Sequence, residues 1–491
     1  MEYKWTVMTV TTVGVLMSGI DGRIVVIGLP TLASALHADA EQAIWFTQAY
    51  VIGSTVALLF IGRASDIFGR VKVYSAGFVI FTVGSALTAL SVTPETFIAS
   101  RLFQGLGSAA LFANSAAIVT DAFPSNELGK ALGINSVAFR TGSMLGLTLS
   151  GLILAFADWR YLFYINIPVG IFGTLWARWR LKELGQRDVG APMDWQGFAA
   201  FSAFIASFLL MLTFAAYGQA EAATVASLAL TAAVSLASFM LIERRRSHPL
   251  LDLGLLRIRE YAGGVIALFL NAIAWGAFIL LLSLYLQLVE GLSPLEAGFR
   301  IIPFDVAFLL VGPLSGRLSD RYGPIRFTGL GLLAISASLS LFSTIAPSTP
   351  YQVIALYLVL GGAGMGLFVS PNMSSIMGSV PPHRRGVASG LRGTVFNVGF
   401  TMSFNLVLLS LSLFLPYALV SKVISSTGGI PATVAERAAF ASGLDGVYRI
   451  LAVINAAAIV PALLRGPRVT QVSYAKLLSG SNSGGEAATP D

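Results

Sequence analysis

The stretch Gly62-Arg63-Ala64-Ser65-Asp66-Ile67-Phe68-Gly69-Arg70-Val71-Lys72 lies between two long apolar runs, and it recurs. The second copy, Gly316-Arg317-Leu318-Ser319-Asp320-Arg321-Tyr322-Gly323-Pro324-Ile325-Arg326, is displaced by 254 residues and again sits between apolar runs. Gly, Arg, Ser, Asp and Gly return at the same spacing. One copy reads equally well as a solvated hairpin. Two copies point to a duplicated membrane protein. The glycines suit a tight turn between closely approaching helices. The Asp and Arg residues are costly in hydrocarbon, so each copy marks a water-facing end.

Composition agrees. Of 491 residues, 55% are hydrophobic and 11% charged, against about 25% charged in soluble chains. The chain is expected to be polytopic, with the lipid bilayer as its first partner. Fifty glycines suit close packing of membrane helices. No cysteine is present, which excludes disulfides, thiolate metal sites and thiol catalysis. No metal, cofactor or nucleic-acid partner is expected. The net charge of +7 is orientation charge. The first apolar run, Trp5 to Pro30, is too long for a cleavable signal and lacks a small-residue cleavage site, so it reads as a first span.

The runs predict helices at 5–35, 43–62, 73–91, 95–122, 128–156, 160–179, 195–216, 222–242, 261–289, 296–318, 326–346, 351–379, 386–414 and 444–465. Each is near or above the roughly 20 residues a bilayer needs. The expected class is therefore an all-α polytopic protein of about fourteen spans, with both termini on one side. Arg160, Lys422 and Arg437 fall on the other side. Most of the remaining Lys and Arg flank the repeats and the termini, which places those in the cytoplasm of a cell (plasma) membrane protein. The clusters at 178–182 and 244–246 read as topology anchors.

The duplication extends beyond the loops. Gly129-Lys130-Ala131-Leu132-Gly133 echoes Gly386-Val387-Ala388-Ser389-Gly390, and Phe139-Arg140-Thr141-Gly142 echoes Phe396-Asn397-Val398-Gly399. Two six-helix halves alone would place equivalent points about 200 residues apart. The excess fits two extra helices near 195–242. The expected division is a half at 1–182, a linker with two extra helices at 183–259, a second half at 260–470 and a disordered cytoplasmic tail at 471–491. The segment 415–443 is expected to be an external loop with some structure of its own.

The repeated Gly-Arg-x-Ser-Asp-x-x-Gly loop resembles the signature between helices 2 and 3 of the major facilitator superfamily. Further stretches are similar to its fourteen-helix drug:proton antiporter branch, of the multidrug efflux type. These are Asp21 to Pro30 in the first helix, Trp45 and Tyr50 in the second, and Arg101-Leu102-Phe103-Gln104-Gly105-Leu106-Gly107 in the fourth. Asp158 to Gly170 matches the approach to the sixth helix. Tyr285-Leu286-Gln287 and Ser293-Pro294-Leu295-Glu296-Ala297-Gly298 match the second half. There are departures. Arg23 and Val26 stand where the branch has Thr and Asn. Gly146 to Gly151 lacks the proline of the antiporter signature. Pro324 replaces an expected Arg. The resemblance implies alternating access with two six-helix bundles and two extra central helices. It implies proton-coupled export of small amphipathic molecules or drugs by a monomer, with the proton gradient as the energy source.

A proton-coupled carrier needs a carboxylate inside the membrane whose charge responds to its surroundings. Asp21 is the first candidate and Asp305 the second. Thr11, Gly14, Ser18, Asp21, Val25 and Gly28 fall at helical spacing, a small and polar face expected to line an aqueous cavity. The alternative for Asp21 is a structural pair with a neighbouring Arg. By resemblance Arg101 tunes a carboxylate; the alternative is a snorkelling residue. Asp445 and Arg449, four apart, read as a local ion pair.

The resemblance also assigns a cytoplasmic gate to Gly62, Arg63, Asp66, Gly69, Arg70, Gly316, Arg317, Asp320 and Gly323. Asp66 is expected to face a helix N-terminus near Arg385, and Arg70 to reach Asp121. Pro324 marks the second copy as the weaker lock. Arg140, Asn397, Arg392 and Arg300 are expected in the substrate cavity. This arginine excess suits a substrate bearing a negative group, such as an anionic amphipathic metabolite or lipid, rather than the lipophilic cations typical of the branch.

Other classes fare worse. His37, His248 and His383 all fall in loops, so no clustered chemistry suits an intramembrane enzyme, and no catalytic residue is expected. No filter sequence or charged ring suggests a channel. A non-transporting sensor on the same fold is the remote alternative.

Overall fold

Backbone N–H and C=O groups must find partners within the chain when no water is near, and a chain this apolar meets that demand with helices. The computed structural model describes residues 2–38, 40–124, 126–185, 193–217, 221–245, 253–292, 294–414 and 433–465. All regular structure among them is helical. The helices are α1 (Tyr3–Ala35), α2 (Ala40–Phe68), α3 (Arg70–Ala89), α4 (Pro94–Ala122), α5 (Leu128–Phe156), α6 (Tyr161–Tyr164), α7 (Asn166–Arg180), α8 (Trp195–Tyr217) and α9 (Ala222–Arg245). They continue with α10 (Arg259–Trp275), α11 (Phe278–Leu288), α12 (Pro294–Tyr322), α13 (Pro324–Phe342), α14 (Tyr351–Gly378), α15 (Arg385–Phe414), α16 (Val434–Ala457) and α17 (Ile459–Leu463). Among the described residues, ten helices are long and apolar enough to cross a membrane.

Helices α1 to α7 pack mainly on one another, as do α10 to α17. The two bundles meet where α5 lies against α12 and α2 against α15. The α8–α9 hairpin leans on α2 and α15 from outside, with Phe60 of α2 against Trp195 and Phe198 at 5.4 and 4.4 Å between ring centroids. At α2–α15 the backbone of Gly62 touches that of Gly386; at α5–α12 Gly316 touches Gly129. A side chain at either point would collide with a carbonyl, which is why the repeat begins with glycine. Its second glycine has a different cause. Gly69 and Gly323 have φ of 104° and 87°, a region that disfavours any residue with a Cβ.

Two departures from the expected spans bear on the site. The run expected as one helix at 261–289 breaks at Gly276–Ala277 into α10 and α11. The backbone N–H of Ala277 is satisfied by Ser403 Oγ on α15 at 2.9 Å. The last helix begins at Val434 rather than 444, so part of the expected 415–443 loop is helix. The rest of that loop, the tail 471–491 and linker residues 186–192 and 246–252 lie outside the described residues.

Candidate transport cavity and gates

A cavity of about 250 Å³ lies between the two bundles. Arg23 of α1, Arg140 of α5 and Arg392 and Asn397 of α15 line it, with Tyr50, Phe112, Trp275, Phe308, Met365 and Phe400 among the apolar wall. Arg140, Arg392 and Asn397, expected in a substrate cavity, all line this one. Asp305 of α12 approaches Arg140, its Oδ1 4.0 Å from Nε. The helix break at Gly276 sits in the cavity wall.

Arg300 is elsewhere. Its Nη1 donates to Glu290 Oε2 at 2.5 Å, and its guanidinium lies over Tyr351 at 4.9 Å. Both partners are at the end of the molecule remote from the repeats. The expectation of a cavity role fails because α12 starts at Pro294, which leaves Arg300 in its second turn. Burial pushes the Glu290 carboxyl up, against the pull of Arg300.

Asp21 is fully buried and faces away from the cavity. Arg101 Nη1 donates to its Oδ2 at 2.5 Å; Gln104 Nε2 and Asn166 Nδ2 donate to its Oδ1 at 2.9 and 3.0 Å. Both amides also reach Ser85 Oγ, at 2.6 and 3.1 Å. Arg101 is held in turn by the carbonyl of Phe46 at 3.3 Å and by the Tyr50 ring at 4.4 Å. So α1, α3, α4 and α7 meet at one carboxylate, and the Arg101 pairing replaces the snorkelling alternative. The face running from Thr11 to Gly28 does not line the cavity as a whole. Gly14 packs on Tyr74 and Phe78 of α3, and Gly28 on Leu154 and Leu162. The cavity face of α1 is turned from it: Val15, Ser18, Gly19, Gly22 and Arg23. The second bundle has a neutral network of its own. Asn271 Nδ2 donates to Asn455 Oδ1 at 2.8 Å, and Asn455 Nδ2 donates to Leu332 O and Ser336 Oγ at 2.9 Å each.

The repeated loops join the two bundles. Asp66 accepts from the backbone N–H groups of Gly386 and Val387 at 3.0 and 2.9 Å, the free donors in the first turn of α15. Asp320 does the same for Gly129 and Lys130 of α5, at 2.9 and 3.2 Å. The first copy adds an ionic brace. Arg70 bonds Asp66 at 3.0 Å, the carbonyl of Pro382 at 2.6 Å, and Asp121. Asp121 also accepts from Arg385 at 2.9 Å. Glu183 caps α3 through the N–H groups of Arg70 and Val71, at 2.9 and 3.1 Å. Asp445 and Arg449 form the expected surface pair, at 2.7 Å.

The Major Facilitator Superfamily profile matches residues 11–404. The chain belongs to that superfamily. It is 32% identical over 402 residues to the riboflavin transporter RibZ of Clostridioides difficile (strain 630), covering 82% of this chain and 87% of that one. It is 28% identical over 398 residues to the tetracenomycin C resistance and export protein of Streptomyces glaucescens, covering 80% and 73%. The solved structure of the proton:xylose symporter XylE superposes with a TM-score of 0.65 at 14% identity, covering 95% of this chain and 97% of that one. That likeness is one of fold. The chain is a multi-pass membrane transporter of the superfamily, not an enzyme.

Within this superfamily chain, sequence reasoning missed several residues. Gln104 and Asn166 lie inside motifs that were legible, and Gln104 is three residues from Arg101 on the same helix face. Arg23, left without a role, proves to be a cavity residue over Phe400 at 5.8 Å. Trp275 carried no signal; the Ala277 N–H freed by the break beside it is met by Ser403 of another helix.

Proposed function

We propose that the protein exports small amphipathic molecules bearing a negative group, by alternating access and with proton coupling. The observation that carries this is the central cavity lined by Arg23, Arg140 and Arg392 and by no carboxylate among its described lining residues. Arginine forms forked bonds to carboxylate, sulfonate and phosphate, and unpaired arginines are costly in a membrane unless a polar partner arrives. Export is favoured by relatives such as the tetracenomycin C resistance and export protein. An inside-negative potential helps, at about 2.3 kcal/mol per exported negative charge per 100 mV.

Fourteen crossings follow if α1, the α6–α7 and α10–α11 pairs and α15 each traverse the membrane beside the ten apolar helices. The chain then divides near 182 and 259, with α8 and α9 between two six-helix halves. Lys and Arg counts support a plasma-membrane protein with the repeat loops and both termini in the cytoplasm. On that reading both cytoplasmic locks are closed and the cavity faces outward.

Asp21 is the proposed proton site, with Arg101 as its partner. A proton on Oδ2 displaces the Arg101 bond, and Arg101 is joined to the cavity through the Tyr50 ring. The neutral network of the second bundle offers no such switch. Asp305 serves as a local counter-ion to Arg140. The test is flux in liposomes holding the purified protein. A lipophilic sulfonate dye should be carried in preference to a lipophilic cation. Asp21→Asn should lose accumulation driven by a pH gradient and keep substrate exchange. Preference for cations, unchanged in Arg140→Gln, sinks the anion reading; full gradient-driven transport by Asp21→Asn eliminates that residue as the proton site.

A further inference from the structure

Each guanidinium in the central cavity lies against a phenyl ring. Arg392 is over Phe112 at 5.2 Å, Arg140 over Phe304 and Phe308 at 5.1 and 5.3 Å, and Arg23 over Phe400 at 5.8 Å. A ring on one face of a planar cation leaves its N–H edge, and its other face, available to a ligand.

The donors on that edge are not spent within the protein. Arg392 Nε and Nη2 are buried and lack a hydrogen-bond partner among the described residues, and so does Trp275 Nε1. Both residues are more than nine-tenths buried and both line the cavity. Arg140 stands 4.0 Å from Asp305, too far for a hydrogen bond. Buried donors carry a desolvation penalty that a ligand supplying acceptors removes. The unused capacity is therefore for acceptors, beside aromatic surface.

Charge narrows the ligand further. Three arginines line the cavity, and Asp305 offsets one of them. The Asp21–Arg101 pair is complete in itself and lies outside the lining. Two positive charges stay unbalanced. At about 250 Å³ the cavity is at the small end of ligand sites, which disfavours a two-chain lipid.

We infer that the cavity is built for a planar aromatic dianion, its ring system between the aromatic walls and its two acidic groups on Arg392 and on the Arg23–Arg140 pair. This rests on the anion reading above and adds the charge number and the ring. Arg392 holds one acidic group by forked N–H donation, and Trp275, stacked on the same Phe304 that Arg140 lies over, adds an N–H donor for the other. Asp305 sets the count at two by neutralising a third site.

Sulfonates stay ionised across the working pH range, so they count charge without titrating. Binding to the purified full-length protein, read by ligand-dependent thermal stabilisation, should rank naphthalene disulfonate roughly tenfold tighter than the monosulfonate. An aliphatic disulfonate of similar length should bind roughly tenfold more weakly than the aromatic one. The trisulfonate should gain nothing over the disulfonate. Asp305→Asn should move the preference to the trisulfonate, and Arg392→Gln should move it to the monosulfonate. A disulfonate no tighter than the monosulfonate, or an aliphatic probe equal to the aromatic one, overturns the inference and leaves the anion reading standing. Tighter binding of a naphthyl trimethylammonium, or no binding of any sulfonate, overturns both. Should either variant fail to fold, the probe series on the unaltered protein decides.

Discussion

The two copies of the repeated loop do one thing alike and one thing differently. Each sets a carboxylate, Asp66 or Asp320, across the first turn of a helix in the opposite bundle, and each accepts two backbone N–H bonds there. Only the first adds the brace of Arg70, Asp121 and Arg385. In the second copy Pro324 stands for Arg70 and Leu128 stands for Arg385 at the head of the capped helix. Helix α14 ends in Ile376-Met377-Gly378, without a carboxylate to match Asp121. A cap depends on one side chain and on backbone that every helix supplies. A brace depends on three charged side chains that must all be retained. The common part of a duplicated gate is the cap; the divergent part is the ionic network.

This difference sets the largest expected effect. Removing one member of a buried ionic network costs about 3–5 kcal/mol, and losing a helix cap about 0.5–2 kcal/mol. Asp66 belongs to both, whereas the second copy has no counterpart of the Arg70–Asp121–Arg385 brace at Pro324, Gly378 and Leu128. The chain has no cysteine, and Ser65 and Ser319 are buried. A thiol at either position is reached only when the gate opens. Asp66→Ala should speed labelling of Ser319→Cys about 100-fold or more, while Asp320→Ala speeds labelling of Ser65→Cys about tenfold. Equal accelerations would mean that the brace adds nothing to the first lock.

The next effect is smaller and tests whether the brace is one unit. Asp66→Ala and Arg70→Ala should each accelerate opening, and the double variant should fall short of their sum by about 0.5–3 kcal/mol. Strict additivity would separate the cap from the brace and make them two devices that happen to adjoin.

The repeated loops stood out in the sequence and the interior of the bundles did so less, for a physical reason. Asp66 and its target near Arg385 were named through the family resemblance that the repeated loop carries, and the contact is a helix cap, which needs only one carboxylate and the donors every helix exposes. Most helix positions were legible because about 20 apolar residues are needed to cross a bilayer. A helical wheel tells which residues share a face, but not which neighbour that face meets. Thr11, Gly14 and Asp21 share a face that packs on α3 and α4, while Arg23, two residues on, takes the cavity. Arg300 was misplaced by the same limit, since its depth depends on where α12 begins. Asp21 was legible as a carboxylate within a span but was expected on a cavity face; its burial away from the cavity and its amide partners Gln104 and Asn166 became visible only once four helices were brought together.

The smallest effect comes from rebuilding the missing part, and it sharpens the comparison most. Pro324→Arg restores the cation of the first copy at the corresponding place. The backbone accepts it, because Pro324 is the first residue of α13 and the positive φ belongs to Gly323. Yet the new guanidinium would find Gly378 and Leu128 where the first copy has Asp121 and Arg385. Asp320, four residues earlier, can pair with it as Asp66 pairs with Arg70, but without a counterpart of Asp121 the link to the capped helix is missing, and the guanidinium meets the cost of partial burial. Labelling of Ser319→Cys should change by no more than about 0.5 kcal/mol, roughly twofold, in either direction. Adding Gly378→Asp to Pro324→Arg supplies the anion, and that pair should slow labelling where Pro324→Arg alone does not. A tenfold slowing by Pro324→Arg alone would show that an arginine on the second loop suffices to strengthen the lock. The weakness of that copy would then lie in the proline itself and not in the lost carboxylate.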